Sequence, residues 1–264
     1  ILRRSADDTD PSERVVVANA QQLVIVVAAA NPEPRTGFID RAVVAAFDAG
    51  IEPILCITKT DVRYPQNLLD YYAASGLKIV LSSSSDGLAP SQEGAAGLES
   101  APVQELLQEL LGQVSVLLGH SGVGKSTLVN ALTGSERATG HVNAVTGRGR
   151  HTSSSALALR PVNANGEPME PGTWIIDTPG IRSFGLAHVP PETVVEAFVD
   201  LAPGAADCPK ACTHAAQAPE CGLEAYVAAG HAGESGPARL ESLRKLLLLT
   251  PEEGDSEKEL GALV

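Results

Sequence analysis

Apolar positions along the chain fall into two recurring arrangements. Leu23 to Ala30, Pro53 to Ile57 and Lys78 to Leu81 are short, nearly continuous apolar runs, the pattern of strands buried on both faces. Between them, Ile39, Val43, Val44, Ala46 and Phe47 recur at helical spacing and stop at Gly50. Leu68, Leu69, Tyr72 and Ala73 do the same before Gly76. The cycle continues with an amphipathic helix over Val103 to Leu111, a strand over Val114 to Leu118, and a helix carrying Leu128, Val129, Ala131 and Leu132. Strands alternating with helices predict an α/β fold, a mostly parallel sheet with helices on both faces. Ligands in such sheets sit at the carboxyl ends of the strands.

Further on, Gly134 to His151 has no hydrophobic period and is rich in Gly, Arg, Thr and Asn, which reads as a mobile loop. The Gly-, Ala- and Ser-rich residues 86 to 101 read as a loop too. Leu157 to Val162 alternates as an edge strand does, Asn163-Ala164-Asn165-Gly166 is a turn, and Trp174-Ile175-Ile176 is a last strand. Pro190-Pro191 marks a change of composition, after which come helical pieces and a final helix over Arg239 to Leu249. The expected division is a linker leaving an earlier element (1–10), one large domain (11–187), a small helical domain (188–250) and a disordered acidic tail (251–264). The first residue is not Met, so the chain reads as a fragment.

One stretch carries chemistry of its own. Gly119-His120-Ser121-Gly122-Val123-Gly124-Lys125-Ser126-Thr127 lies between a predicted strand and a predicted helix, the context of a phosphate-binding loop. Its glycines let several backbone N–H groups point at one anion, and the helix N-terminus adds partial positive charge there. Lys125 is expected to reach the β- and γ-phosphates, and the Ser126 hydroxyl to ligate Mg²⁺.

Composition narrows the setting. Aromatic residues make up 3% of the chain, so Ala, Val and Leu must form the core. A formal net charge of −13 argues against broad, non-specific nucleic-acid binding by this chain alone. No apolar run approaches the roughly twenty residues of a membrane span, and Ile1-Leu2-Arg3-Arg4 does not open a signal peptide. Four cysteines, three of them clustered late, favour a metal over disulfides and a reducing, cytoplasmic location.

Two further motifs follow predicted strands. Asp177-Thr178-Pro179-Gly180 has the Asp-x-x-Gly form in which the Asp holds Mg²⁺ through water and the Gly amide senses the γ-phosphate. Thr58-Lys59-Thr60-Asp61 resembles the Asn/Thr-Lys-x-Asp motif of GTPases. There the carboxylate accepts hydrogen bonds from guanine N1–H and the 2-amino group, and a base lacking them leaves a charge unpaired. The base-reading motif precedes the phosphate loop, whereas ordinary GTPases carry it last. Reconnecting the fold after Asp177-Thr178-Pro179-Gly180 keeps every spatial neighbour and changes only this order, so the chain resembles the circularly permuted GTPases.

Within that class it is similar to the RsgA/YjeQ family of small ribosomal subunit maturation GTPases. The residues carrying the likeness are Glu13 to Val26, Gly119 to Thr127, Gly147-Arg148-Gly149-Arg150-His151-Thr152, Asp177 to Gly185 and the late cysteines. The resemblance spans about residues 11 to 250 and implies a P-loop GTPase three-layer fold, with an N-terminal OB-fold barrel of which residues 1–10 read as only the last strand and the linker, so that this chain would lack it. It implies guanine contacts from Ser82 and Ser83, which stand where the family has a Ser-Ala pair. Switch I would supply Thr152 to Mg²⁺ and His151 to the attacking water. Ras-like enzymes position that water with a Gln, and Ile181 occupies that place here and cannot.

Cys208, Cys212, His214 and Cys221 supply three thiolates and one imidazole, a closed tetrahedral set for one structural Zn²⁺. Their spacing departs slightly from the family's C-x₄-C-x-H-x₅-C. The domain built on them is expected to help dock on ribosomal RNA, with Lys210, Arg239, Arg244 and Lys245 as its available cations. Cys56, inside a predicted strand, reads as packing. The reading is a monomeric, ribosome-stimulated GTPase that cycles between GTP and GDP and acts on the small (30S) subunit and its rRNA. Two others stay open: a permuted GTPase of large-subunit assembly, and a GTP-binding scaffold with negligible turnover.

Overall fold

A computed structural model of the chain describes residues 1–5, 13–83, 101–135, 156–163, 165–179 and 185–248. Its centre is a six-stranded sheet in the order β5 (Lys78–Leu81), β4 (Glu52–Thr58), β3 (Gln22–Ala28), β6 (Val114–Gly119), β8 (Trp174–Asp177), β7 (Leu157–Leu159). All neighbouring pairs are parallel except β7 with β8, which is antiparallel. β7 is therefore the edge strand its alternation predicts, with Leu157 and Ala158 exposed. A separate two-stranded pair joins β1 (Leu2–Ser5) to β2 (Glu13–Val17).

Both faces of the sheet are covered, which explains the unbroken apolar runs. Successive residues of β3 enter opposite cores. Leu23, Ile25 and Val27 pack with α1 (Thr36–Asp48) and the C-terminal helices, while Val24, Val26 and Ala28 pack with α3 (Ala101–Leu110) and α4 (Lys125–Thr133). β4 repeats the division, Leu55 and Ile57 on one side, Ile54 and Cys56 on the other. Burial pushes the Cys56 thiol up to about 12, so it is an inert packing residue as the sequence suggests.

The remaining helices are α2 (Gln66–Tyr72), α5 (Pro191–Ala197), a short 3-10 helix (Ala202–Asp207), α6 (Gly222–Ala228) and α7 (Gly236–Leu247). α5 and α7 pack on α1, and α6 on α7, around Phe198, Leu201, Leu223 and Leu243. At their junction Arg239 of α7 is 3% exposed. It donates to Asp40 of α1 at 2.7 Å and makes two bonds to Asp200, at 2.9 and 3.0 Å. Tyr72 and Ser242 donate to the same Asp40 carboxylate, at 3.0 and 2.5 Å. This corrects the expectation that Arg239 is a cation available to RNA: its charge is consumed inside the fold.

Candidate functional site

Four loops meet at the carboxyl ends of the parallel strands. The glycine-rich loop leaves β6 and enters α4 at Lys125. It must pass close to β3, because a Cβ on Gly119 would stand 2.6 Å from the Val26 carbonyl oxygen. Gly124 adopts a left-handed φ of 89° as the chain turns into the helix, which only glycine does without strain.

Thr58-Lys59-Thr60-Asp61, far away in sequence, is bonded directly to this loop. The Thr58 hydroxyl, 4% exposed at the end of β4, lies 2.5 Å from the Val123 carbonyl and 3.2 Å from that of Val27. Lys59 donates through Nζ to the Gly122 carbonyl at 2.8 Å and also to that of Asn31. Burial lowers the Lys59 pKa, while nearby Asp61 opposes that shift. Asp61 itself is exposed beside this platform. Ser82 is fastened from below: its N–H donates to Ile57, and Thr60 donates to its carbonyl through both amide and hydroxyl. The buried Ser82 hydroxyl has no partner among the described residues.

At the other side Lys125 pairs with Asp177 at the end of β8 and donates to the Thr178 carbonyl at 2.5 Å. Both side chains are buried, 9% and 3% exposed. Thr178 is held in turn by a 2.7 Å bond from its hydroxyl to Leu117 of β6. Two buried opposite charges at this end of the sheet thus face each other. Ser126 and Thr127 are half-buried on the first turn of α4, and Ser121 beside them in the loop is half-buried too. The His120 ring lies edge-on to Phe38 of α1 at 4.2 Å. Burial first, and the Arg35 charge second, lower its pKa below 6.5. His151, Thr152, Gly180 and Ile181 lie outside the described residues.

The second candidate site lies in the C-terminal helices. One ligand atom each from Cys208, Cys212, His214 and Cys221 lies within 4.8 Å of all the others, and the cysteines are free thiols. Ligands about 2.3 Å from a tetrahedral ion are about 3.8 Å apart, so the set is gathered closely enough to hold a metal after small side-chain adjustments. The nitrogen facing the sulfurs is Nδ1, 3.5 Å from Cys208 Sγ and 3.8 Å from Cys221 Sγ. The Gly222 amide donates to Cys208 Sγ at 3.2 Å. That close turn explains two glycines. A Cβ on Gly222 would meet the Gly204 carbonyl at 2.3 Å, and one on Gly204 would meet Tyr226 at 2.6 Å.

A parallel α/β sheet, a phosphate loop after β6, and a base-reading motif that comes earlier in the chain yet binds that loop define a circularly permuted P-loop GTPase fold. Two solved structures share it. YjeQ from Thermotoga maritima superposes with a TM-score of 0.60 at 26% identity, over 88% of this chain and 73% of that one. YloQ, described as a circularly permuted GTPase, gives 0.59 at 22% identity, over 89% and 71%. The profile of the RsgA GTPase family matches residues 1–187. The chain belongs to that family. It is 36% identical over 245 residues to the small ribosomal subunit biogenesis GTPase RsgA of Pseudomonas aeruginosa, spanning 90% of this chain and 65% of that protein. The relative of the same name from Azotobacter vinelandii is 37% identical over 239 residues, spanning 90% and 64%. The chain therefore covers slightly less than two thirds of these relatives' length.

Proposed function

We propose that this chain binds GTP, hydrolyses it to GDP and phosphate, and serves as a switch in late maturation of the small ribosomal subunit. The observation that carries the reading is the bonded pair of loops: Thr58 and Lys59 hold the base-reading motif against Val123 and Gly122 of the phosphate loop. That spacing suits one ligand with a base at one end and phosphates at the other. The names of the relatives support the ribosomal role.

On this reading Asp61 accepts from the guanine edge, and Ser82 and Ser83 line the base. Backbone amides from Gly119 to Thr127 surround the phosphates. Lys125 exchanges its bond to Asp177 for the β- and γ-phosphates. Mg²⁺ would be held by Ser126, by Thr152 and, through water, by Asp177, neutralising charge as the γ-phosphate leaves. Gly180 senses the γ-phosphate and His151 orients the attacking water. Cys208, Cys212, His214 and Cys221 would hold one Zn²⁺ that anchors a small helical domain over residues 188–250. The expected setting is a cytoplasmic monomer working on the subunit and its rRNA without a membrane; among the described residues no helix is long and apolar enough to cross one.

The test is GTP hydrolysis with and without purified small subunits. Stimulation by the subunits supports the reading, and its absence in a full-length relative-sized chain would sink the ribosomal part. Asp61→Asn is expected to weaken GTP binding and favour xanthine nucleotides; unchanged GTP affinity would show the base site to be elsewhere. The second reading, a binding scaffold with negligible turnover, is favoured by Ile181 after the Asp-x-x-Gly motif, and no hydrolysis under either condition would select it.

A further inference from the structure

α7 carries a second arginine that the sequence counts among the cations available to RNA, yet its guanidinium is engaged within the fold. Arg244, 18% exposed, donates through Nε to the backbone carbonyl of His214 at 2.8 Å. Its Nη2 donates to Glu224 at 2.5 Å. Glu224 lies in the first turn of α6, whose N-cap residue is Cys221. One guanidinium therefore bridges the histidine of the cluster and the helix that begins at its last cysteine.

The backbone of the cluster needs such support. Ala211, His214 and Glu220 adopt left-handed φ values of 59°, 56° and 54°, a conformation disfavoured for a residue with a Cβ. The choice of ring nitrogen sharpens the point. Nδ1 is bonded to Cγ and lies nearer the backbone than Nε2, so the placement of the His214 backbone bears directly on where it points. Three thiolates on a divalent ion leave a net negative charge, and arginine supplies a cation that does not deprotonate.

We propose that Arg244 is a positioning residue for the metal cluster: by pinning the His214 carbonyl it aims Nδ1 at the ion. Through Glu224 it holds Cys221's helix in register with that nitrogen. The proposal rests on the reading of Cys208, Cys212, His214 and Cys221 as a zinc set.

The experiment measures zinc affinity of the 264-residue chain by competition with a chromophoric chelator, and the visible spectrum of the Co²⁺-substituted protein. Arg244→Met is expected to lose about ten- to a hundredfold in affinity, the range for residues that orient metal ligands, and to change the Co²⁺ spectrum as the imidazole disengages. Arg244→Lys, with a single donor nitrogen that cannot span both partners, should fall between it and the wild type. Lys245→Ala on the same helix should match the wild type. A purely structural role would lower thermal stability and leave the spectrum as it was. Wild-type affinity and spectrum in Arg244→Met overturn the proposal. If that variant does not fold, Arg244→Lys and Glu224→Ala decide the matter by the same two readouts. A wild type that takes up neither ion overturns the zinc reading itself.

Discussion

The hydroxyl of Thr58 reaches across to the carbonyl of Val123 at 2.5 Å, joining two loops 65 positions apart in sequence. Thr58→Val keeps the shape and removes the donor. The loss of a buried hydrogen bond of this kind costs about 1–3 kcal/mol. We expect nucleotide affinity to fall about tenfold, measured by titration with fluorescent GDP, with the fold retained by circular dichroism.

Lys125 and Asp177 form a buried pair, so the single change should cost far more stability than the double one. Lys125→Met leaves the Asp177 carboxylate buried without its lysine and should destabilise the ligand-free protein by about 3–5 kcal/mol. Lys125→Met with Asp177→Asn should recover most of that in urea unfolding. Neither should bind nucleotide. A double variant as unstable as the single one would mean that the pair's attraction is not what holds Asp177 in place.

Arg239 makes the equivalent test at the junction of α1 and α7. Arg239→Met strands Asp40 and Asp200, both buried, and also loses the stacking of the guanidinium on Phe198 at 4.4 Å. A loss of about 3–5 kcal/mol is expected, read as a lowered urea midpoint. Lys245→Met at the exposed end of α7, where the partner is Glu241, should change stability by less than about 0.5 kcal/mol.

His120 gives a pH signature. Its folded-state pKa lies below 6.5 because burial, and then Arg35, disfavour the charged ring. As pH falls through about 6.5 the unfolded chain takes up this proton before the folded one, so the protein loses stability below that pH and not above it. His120→Gln should flatten the fall in melting temperature between pH 7 and pH 5. Parallel curves for the two proteins would exclude the effect.

Thiol chemistry separates the cysteines. After treatment with a strong chelator, three thiols should react with a chromogenic disulfide, those of Cys208, Cys212 and Cys221, and the metal-loaded protein should react slowly. Cys56, buried in β4 with its thiol pushed up to about 12, should react only in denaturant. Four fast thiols after chelation would mean that metal removal unfolds the sheet as well as the cluster.

Much of this architecture was legible in local pattern. Continuous apolar runs imply strands covered on both faces, and β3 divides its residues between two cores as that requires. Gly119 to Thr127 is readable because a phosphate loop is a contiguous segment whose backbone does the binding. The order of Thr58-Lys59-Thr60-Asp61 before that loop betrays the permutation. The three cysteines and the histidine lie within fourteen positions, so their spacing alone predicts the cluster found here.

What the chain by itself left open are pairings between distant positions. Asp40 sits in a helix whose apolar face is plain, yet its carboxylate meets Arg239 at a separation of 199 residues. No periodicity encodes that contact, and a lone arginine near a metal cluster reads as a free cation. Likewise nothing local says that Lys125 faces Asp177, that His120 turns its ring to Phe38, or that Arg244 holds His214 by its carbonyl. Motifs are local because one stretch of backbone makes them. Charge neutralisation inside a fold is not, because whichever side chains the packed layers bring together must supply it.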